Sequence, residues 1–353
     1  MSKYALAALV SLLMVSVPAL AEDADAGSAP RKHHVKKKSK HQPVHVAAAE
    51  PKEKMVKRVV LVHGRRKVVY QHLFAAAPGV PTMGDLAGLN LTHDPLDLKS
   101  NVAYVLDQDN SEVLFEKNSN IALPIASITK MMTGLVVMEA NQDMDEVLTV
   151  SDEDVDREKF SSSRLKVGAR LTRANMLHIA LMSSENRAAS ALGRYYPGGK
   201  PAFVEAMNAK ARELGMTDTH YVDSNGLSKM NVASARDLAK LAQAAYQYPV
   251  LRQFSTDPKA VVDVSGHPMA FGSTNHLTSS PDWTIGLQKT GFINEAGRCL
   301  MMQAVIEGRS VIMVFLDSKG KLSRTADAGR IRKWLQALKP TSLSTTPVYS
   351  TGM

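Results

Sequence analysis

The stretch PIASITK at residues 124–130, continued by MMTGLV at 131–136, decides the fold and the chemistry that this chain predicts. We interpret it as a loop that runs into a buried helix, because the later residues are apolar nearly all round. Pro124 suits a first helical turn, where a missing N–H costs nothing. Ser127 and Lys130 lie three residues apart and therefore share one face. A hydroxyl beside a desolvated amine is a nucleophile beside a base, which makes this pair the candidate catalytic centre.

The positive charge of the chain is concentrated near its N-terminus. Residues 31–67 contain 13 Lys or Arg against two Glu, a surplus larger than the net +9 of all 353 residues. The charge balance therefore says nothing about the candidate centre. The single cysteine, Cys299, excludes an intrachain disulfide and a zinc–thiolate cluster. We expect Cys299 to be a small buried apolar residue.

Residues 1–21 have the pattern of a secretory signal peptide. Lys3 supplies the positive start, residues 4–17 form a short apolar run, and Ala-Leu-Ala at 19–21 is a small-x-small cleavage site. The apolar run is too short to span a bilayer comfortably, although an N-terminal membrane anchor is the alternative interpretation. Export follows under either interpretation, and cleavage predicts a periplasmic protein.

Residues 22–80 are rich in Lys, His, Ala and Pro, which predicts a basic disordered tail. Its charge suits attachment to an anionic envelope surface, and a solvated linker is the alternative. Histidines occur at positions 33, 34, 41 and 45, but a flexible tail with no carboxylate partner is a poor metal cage. Valine-rich runs at 59–62 and 68–70, on either side of Gly64, also permit an isolated hairpin.

The folded domain is predicted to span about residues 95–340, with a flexible C-terminus at 341–353. Five short runs have β composition, at 101–107, 112–117, 284–290, 297–307 and 310–316. Between the second and the third, about residues 141–250 form a mostly helical lobe, with helical runs at 173–182, 186–195, 201–214 and 234–246. A last amphipathic helix is predicted at 324–338, with a core-facing stripe of Ile331, Trp334, Leu335 and Leu338.

Strands from both ends of the chain therefore enclose a helical insert. The simplest assembly is one antiparallel five-stranded sheet, with the terminal helix on its face and an all-helical lobe beside it. This is an α/β (α+β) fold.

Three short motifs give the candidate centre its context. Ser-x-x-Lys occurs at 127–130 but also at 318–321, and Ser-x-Asn occurs at 184–186 and at 273–275. Lys-Thr-Gly occurs once, at 289–291. The specific signal is their order: Ser-x-x-Lys opens a buried helix, Ser-x-Asn follows in the helical lobe, and Lys-Thr-Gly ends a strand. This set is typical of class A β-lactamases and penicillin-binding proteins.

On these motifs, residues 95–340 resemble the serine DD-peptidases among the low-molecular-mass penicillin-binding proteins, and more narrowly the D-alanyl-D-alanine endopeptidases. The stretches DSNGLS at 223–228, SARDLA at 234–239 and KTG at 289–291 running on to EAGRCL at 295–300 support the resemblance. It implies a DD-peptidase/β-lactamase-like fold and an acyl-serine mechanism without metal or cofactor. Its implied partners are peptidoglycan stem peptides and cross-links, with β-lactams as acylating inhibitors.

Each motif has a chemical role that can be argued from its residues. Ser127 would attack a peptide carbonyl, and Lys130 can remove the serine proton only when it is neutral. We expect burial and the second cation, Lys289, to lower the pKa of Lys130. Ser184 would pass a proton between Lys130 and the leaving amine, and Asn186 would hold both Lys130 and a substrate amide.

The third motif is predicted to bind substrate. Lys289 and Thr290 suit a substrate carboxylate or backbone on an edge strand, where a peptide can add as a further strand. The resemblance implies that backbone N–H groups of Ser127 and of Phe292, directly after Gly291, form an oxyanion hole. It also places Arg324 where family members have an arginine able to meet a terminal carboxylate.

Structural alternatives stand beside these assignments. Ser127 and Asn186 can be helix caps, Lys289 can be a surface lysine of a strand, and Arg324 can be solvated. At the level of function, a carboxypeptidase is the first alternative to an endopeptidase. A β-lactamase is the second, but residues 150–180 lack the Glu-x-x-Leu-Asn run of class A enzymes. A non-catalytic binding module for wall polymer is the third.

Overall fold

The structure is a computed structural model that describes residues 53–62, 65–74 and 80–338. The predicted signal peptide, the predicted C-terminus at 341–353 and part of the predicted tail lie outside these residues. The chain divides into a unit of residues 1–77 and a unit of residues 78–353. In the first unit β1 (Glu53–Val62) pairs with β2 (Arg65–Phe74) in an antiparallel hairpin. Residues 53–62 and 65–74 thus form the hairpin that the sequence permitted inside the segment predicted to be disordered, because valine-rich runs favour strands.

The strands of residues 80–338 are β3 (Ser100–Asp107), β4 (Val113–Lys117), β5 (Leu123–Pro124), β6 (Val147–Thr149), β7 (Arg170–Thr172), β8 (Val232–Ala233), β9 (Lys259–Val264), β10 (His267–Gly272), β11 (Thr284–Ile293), β12 (Gly297–Ile306) and β13 (Arg309–Ser318). The α-helices of the same residues are α1 (Met83–Leu86), α2 (Thr129–Glu139), α3 (Arg173–Met182), α4 (Asn186–Arg194), α5 (Gly199–Glu213), α6 (Ala235–Tyr246), α7 (Pro249–Thr256) and α8 (Ser323–Ala337). None of the helices in the described part of the chain is long and apolar enough to cross a membrane.

The central sheet is antiparallel and has the order β11-β12-β13-β3-β4. This confirms the predicted five-stranded sheet with strands from both ends of the chain. Because successive side chains of a strand point to opposite faces, β3 contributes to two cores. Tyr104 and Leu106 belong to the core shared with the helical lobe. Ala103 and Val105 belong to the core under α8.

Helix α8 covers the outer face of the sheet as predicted. Ile331 is fully buried and Leu335 is nearly so, and both belong to the core under α8. Trp334 is partly buried against the same core, whereas Leu338 lies past the last residue of the helix and is 46% exposed. The predicted stripe therefore holds for three of its four residues.

The helical lobe contains the four predicted helices within one or two residues of their expected bounds. Helix α7 and the β9–β10 hairpin were not predicted. Helix α7 spans only eight residues from Pro249, too few for a helical period to stand out. The hairpin alternates exposed and buried positions over two strands of six residues each, so its apolar signal is weak.

Helix α2 is buried on all sides, as its apolar sequence predicts. It begins at Thr129 rather than at Pro124. Residues 126–128 form a 3₁₀ turn, and Pro124 instead pairs with Val232 in the short β5–β8 ladder. Pro124 therefore ends a strand, and Ser127 lies in the tight turn that links this strand to α2.

Candidate active site

Ser127 and Lys130 are brought together at the start of α2. The Nζ of Lys130 lies 2.9 Å from the Oγ of Ser127. Lys130 is completely buried, whereas Ser127 is partly exposed. Because Ile128 is the N-cap residue of α2 and no side chain caps this helix, the interpretation of Ser127 as a cap is wrong. The pair consists of an accessible hydroxyl and an amine withdrawn from water.

Lys130 has three oxygen neighbours. Besides Ser127, its Nζ bonds the Oδ1 of Asn186 at 2.7 Å and the backbone oxygen of Asn225. A neutral amine has two N–H donors and one lone pair. Donation to Asn186 and to Asn225 uses both N–H groups, so the lone pair is left for the hydroxyl proton of Ser127. The surroundings therefore satisfy every hydrogen-bonding group of the neutral lysine, as a buried polar group requires.

Burial lowers the pKa of Lys130 from 10.5 to about 7, against the opposing pull of the Asp223 and Glu185 carboxylates. Desolvation disfavours the charged form of a buried lysine. Burial is the first cause of this shift, and Lys289 is not among the named causes. At neutral pH a large fraction of Lys130 is therefore uncharged, because the side chain is buried away from water.

The charge of Lys130 contributes to the lowered pKa of Lys289. Lys289 is also completely buried, which excludes the interpretation as a surface lysine. Burial, followed by the charges of Lys130 and Arg324, holds its pKa well below the usual value. Its Nζ bonds the Oγ of Ser184 and the backbone oxygen of Thr290, each at 2.9 Å. Lys289 thus connects the edge strand β11 to the helical lobe.

Ser184 occupies the short link between α3 and α4. Its φ of 63° is left-handed, a conformation that costs a non-glycine residue about 1–2 kcal/mol. Such strain concentrates at functional sites. The hydroxyl of Ser184 bonds Lys289. The Nζ of Lys130 bonds Ser127, Asn186 and Asn225, so the predicted contact between Ser184 and Lys130 is not made in this structure.

Asn186 is the first residue of α4 and follows the N-cap residue Glu185. The interpretation of Asn186 as a cap is therefore wrong. Its Oδ1 accepts from Lys130, as predicted, while its Nδ2 donates to the Oγ of Ser161 at 2.8 Å. Nothing in the motifs pointed to Ser161, because it lies in an irregular loop 25 residues earlier.

Strand β11 is the edge strand of the sheet, as predicted. The hydroxyl of Thr290 lies 2.6 Å from that of Thr274. Thr274 is the middle residue of the second Ser-x-Asn match, at 273–275. That match is therefore not the catalytic motif, but it supplies a residue that contacts Thr290. The Ser-x-x-Lys match at 318–321 forms no comparable site, since Ser318 is buried and bonds Ser323.

Two glycines allow the backbone to close around the Ser127 turn. A Cβ on Gly226 would lie 2.1 Å from the oxygen of Ala126, and one on Gly291 would lie 2.7 Å from the oxygen of Ile125. Both added atoms would also be within 3.3 Å of the backbone nitrogen of Ser127. Only glycine permits contacts this close.

The loop at 223–228 is held by Asp223. Its carboxylate accepts backbone N–H bonds from Asn225, Gly226 and Ser228. This arrangement presents the oxygen of Asn225 to Lys130. The same stretch supported the family resemblance in the sequence, but its backbone contact with Lys130 had no signature of its own.

Phe292 lies in β11 directly after the motif, and Arg324 of α8 contacts the same strand. Phe292 is 50% exposed, and its ring is covered by the guanidinium of Arg298 at 4.5 Å. Arg324 is only 9% exposed and donates to the backbone oxygen of Gly291 at 3.0 Å. Its Nε is buried without a partner. The interpretation of Arg324 as solvated is therefore wrong, and one of its donors remains available.

Cys299 is buried, as expected, and burial raises the pKa of its thiol to about 12. Across residues 53–62, 65–74 and 80–338, no group of three His, Cys, Asp or Glu side chains is placed to hold a metal ion.

Comparison with known proteins agrees with the site. The model of the Peptidase S11 family, described as D-alanyl-D-alanine carboxypeptidase, matches residues 90–320. A D-alanyl-D-alanine endopeptidase of Pseudomonas aeruginosa is 47% identical over 260 residues, covering 73% of this chain and 83% of that protein. A D-alanyl-D-alanine endopeptidase of Escherichia coli is 40% identical over 269 residues, covering 76% and 87%.

Solved structures give the same result. The DD-transpeptidase of Streptomyces K15 superimposes with a TM-score of 0.65 at 26% identity, covering 70% of this chain and all of that one. Penicillin-binding protein D2 of Listeria monocytogenes, in its cefotaxime-bound form, has a TM-score of 0.62 at 30% identity, covering 68% and 98%. The fold and the extent of these matches establish that the chain belongs to the Peptidase S11 family of serine D-alanyl-D-alanine peptidases.

Proposed function

We propose that this protein is a DD-endopeptidase that hydrolyses D-alanyl cross-links of peptidoglycan through an acyl-enzyme on Ser127. The observation that supports this most directly is the neutral, fully bonded environment of Lys130 beside the Ser127 hydroxyl. It supplies a base at neutral pH without a histidine or a metal ion.

In the acylation step, the lone pair of Lys130 takes the hydroxyl proton while the Oγ of Ser127 attacks the D-alanyl carbonyl. The oxygen of the tetrahedral intermediate would be held by the backbone N–H groups of Ser127 and Phe292. The close approach of Gly291 to the Ser127 turn supports this assignment. Loss of one such donor typically costs about 10²–10³ in rate.

The leaving amine must receive a proton when the peptide bond breaks. We assign its delivery to Ser184, whose hydroxyl is bonded to Lys289. The proton that Lys130 took from Ser127 then replaces the one that Ser184 gave up, so that Lys130 is neutral again. Asn186 would keep Lys130 in position through Oδ1. Water then attacks the acyl group while the neutral Lys130 accepts one of its protons, and this proton passes to the Oγ of Ser127 as the bond between that oxygen and the acyl group breaks. Ser127 is regenerated, and the second product carries the new carboxylate.

The substrate would add to the exposed edge of β11 as an antiparallel strand. Thr290 and Gly291 supply hydrogen-bonding groups along this edge, and the Nζ of Lys289 supplies hydrogen-bond donors at its start. Arg324 donates to the backbone oxygen of Gly291, and its buried Nε has no partner. We assign to it an electrostatic contribution to carboxylate binding.

The names of the relatives favour an endopeptidase over the first alternative. The two relatives at 47% and 40% identity are both named D-alanyl-D-alanine endopeptidases. A carboxypeptidase remains the second candidate, because the matching family model has that description. Under either activity, β-lactams would acylate Ser127, and the predicted signal peptide would place the enzyme in the periplasm. Attachment of the basic tail to the envelope remains a prediction.

Mass spectrometry of peptidoglycan fragments tests the proposal. Purified cross-linked muropeptide dimers and uncross-linked pentapeptides are digested separately with the wild-type protein and with Ser127→Ala. We expect the wild type to split the dimers and to leave the pentapeptides intact, and Ser127→Ala to do neither. Loss of terminal D-alanine from the pentapeptides would favour the carboxypeptidase. Dimer cleavage by Ser127→Ala would refute the acyl-serine mechanism.

A further inference from the structure

An ion pair beside the active site joins two segments that are far apart in sequence. The Nζ of Lys159 lies 2.6 Å from the Oε1 of Glu295. Lys159 belongs to the irregular loop of residues 156–161 in the helical lobe. Glu295 belongs to the turn between β11 and β12. Both side chains are partly buried, at 26% and 29% exposure, so the pair is more enclosed than an ordinary surface ion pair.

Each partner is attached to one wall of the cleft. Two residues after Lys159, the Oγ of Ser161 accepts from Asn186, which in turn holds Lys130. Glu295 follows the strand that carries the Lys-Thr-Gly motif and lies four residues beyond Gly291, about 13 Å along an extended chain. The ion pair therefore joins the loop at 156–161 to the turn after β11.

The loop is preorganised for this contact. The carboxylate of Asp156 accepts backbone N–H bonds from Glu158, Lys159 and Ser161 at 2.7–2.9 Å. These bonds fix the backbone on both sides of Phe160. Phe160 has a φ of 53° and is 82% exposed. A bulky residue such as Phe160 is strained in the left-handed region. Because the side chain is exposed, packing does not offset this strain. Backbone strain of this kind is typical of functional loops.

The turn that carries Glu295, the other partner of the ion pair, is also held in place. The backbone oxygen of Glu295 accepts from the N–H of Met83 at 2.9 Å, so the β11–β12 turn is tied to α1. The second carboxylate oxygen of Glu295 is buried without a partner. Only one of its two oxygens is used by Lys159, and the contact can be exchanged without moving the backbone of the turn.

We propose that Lys159 and Glu295 form a clamp across one end of the cleft, and that this clamp must open for a cross-linked peptide but not for a small acylating agent. The inference rests on the proposed endopeptidase function. A peptide strand that extends along β11 past Gly291 reaches Glu295, whereas a penicillin that reacts at Ser127 can remain within the first residues of the strand. The pair is thus a determinant of substrate size.

The test compares two reactions in the same variants. Lys159→Gln, Glu295→Gln and the double variant are measured for kcat/KM on purified cross-linked muropeptide dimers and for the rate constant of acylation by benzylpenicillin. We expect each variant to cleave dimers about two- to five-fold faster, the size expected for a single partly exposed ion pair. The double variant should gain no more than either single variant, since they remove the same contact. Acylation by benzylpenicillin should stay at the wild-type rate.

Lys210→Gln is the matched control. It removes an ion pair with Glu139 at the far end of α2, and both reactions should be unchanged. A fall in dimer cleavage in the clamp variants, equal changes in both reactions, or additive gains in the double variant would overturn the clamp. Failure of the wild-type protein to bind penicillin or to cleave dimers would refute the proposed function, and the clamp with it.

Discussion

At the scale of single residues, burial is the largest cause that lowers the pKa of each of the two lysines in the cleft. The three hydrogen-bonding neighbours of Lys130 fit the two N–H groups and the one lone pair of a neutral amine. Its pKa of about 7 follows from desolvation. The sequence predicted a lowered pKa from the apolar helix around it. The sequence did not reveal that Asn225 supplies the third oxygen, because a backbone contact leaves no residue-type signature.

Gly226 gives a prediction at this scale. Its φ is +79°, and an added Cβ would lie 2.1 Å from the oxygen of Ala126. We expect Gly226→Ala to lower the free energy of unfolding by about 2–5 kcal/mol, from backbone strain and overpacking together. Displacement of the Ser127 turn should lower acylation by penicillin about 10²-fold. Urea unfolding and a fluorescent-penicillin assay measure the two effects.

Gly215→Ala is the control for this prediction. Gly215 has a similar φ of +67° with open space around its Cβ position. It should cost only the conformational penalty of about 1–2 kcal/mol and leave acylation unchanged. Equal losses of stability and activity in the two variants would show that the close approach at Gly226 is unimportant.

At the scale of elements, the long periodic segments could be predicted and the short ones could not. The predicted helix at 173–182 agrees with α3 residue for residue. By contrast, α7 and the β9–β10 hairpin depend on tertiary contacts. The N–H of Ser273, just after β10, bonds the oxygen of Pro258, and Ser255 in α7 bonds Gln288 in β11. Such partners lie far apart in sequence and produce no local pattern.

The contact between α8 and the start of β3 gives a prediction at the scale of elements. The buried carboxylate of Asp327 in α8 accepts N–H bonds from Lys99 and Ser100, and also the hydroxyl of Ser100. Asp327→Ala would leave the buried N–H of Ser100 without a partner. We expect a loss of about 3 kcal/mol in the free energy of unfolding, measured by urea denaturation.

Glu213→Ala serves as the comparison for that variant. Glu213 forms an exposed i,i+3 ion pair with Lys210 on α5, so its removal should change stability by less than about 0.5 kcal/mol. If Asp327→Ala were no less stable than Glu213→Ala, the attachment of α8 to β3 through this carboxylate would be unimportant.

At the scale of the whole molecule, the site exists only because the sheet and the helical lobe face each other. Ser127 lies in the turn before α2, and Lys130 lies in the first turn of that helix. Ser184 lies between α3 and α4, Asn186 is the first residue of α4, and Lys289 lies on the edge strand. The order of the three motifs was sufficient to predict that these residues lie together in one site. Ser161, Thr274 and the Lys159–Glu295 pair were beyond prediction, because each depends on how a loop of one lobe packs against another segment.

The central claim is that an uncharged Lys130 activates Ser127 inside this shared cleft. The pH dependence of acylation by benzylpenicillin, followed from pH 5 to pH 9 under single-turnover conditions, tests it most directly. Since only the neutral amine can accept the proton, the rate constant should rise about tenfold per pH unit below the pKa of about 7 and level off above it. A rate constant that is flat across this range, or that falls as the pH rises through 7, would contradict the account.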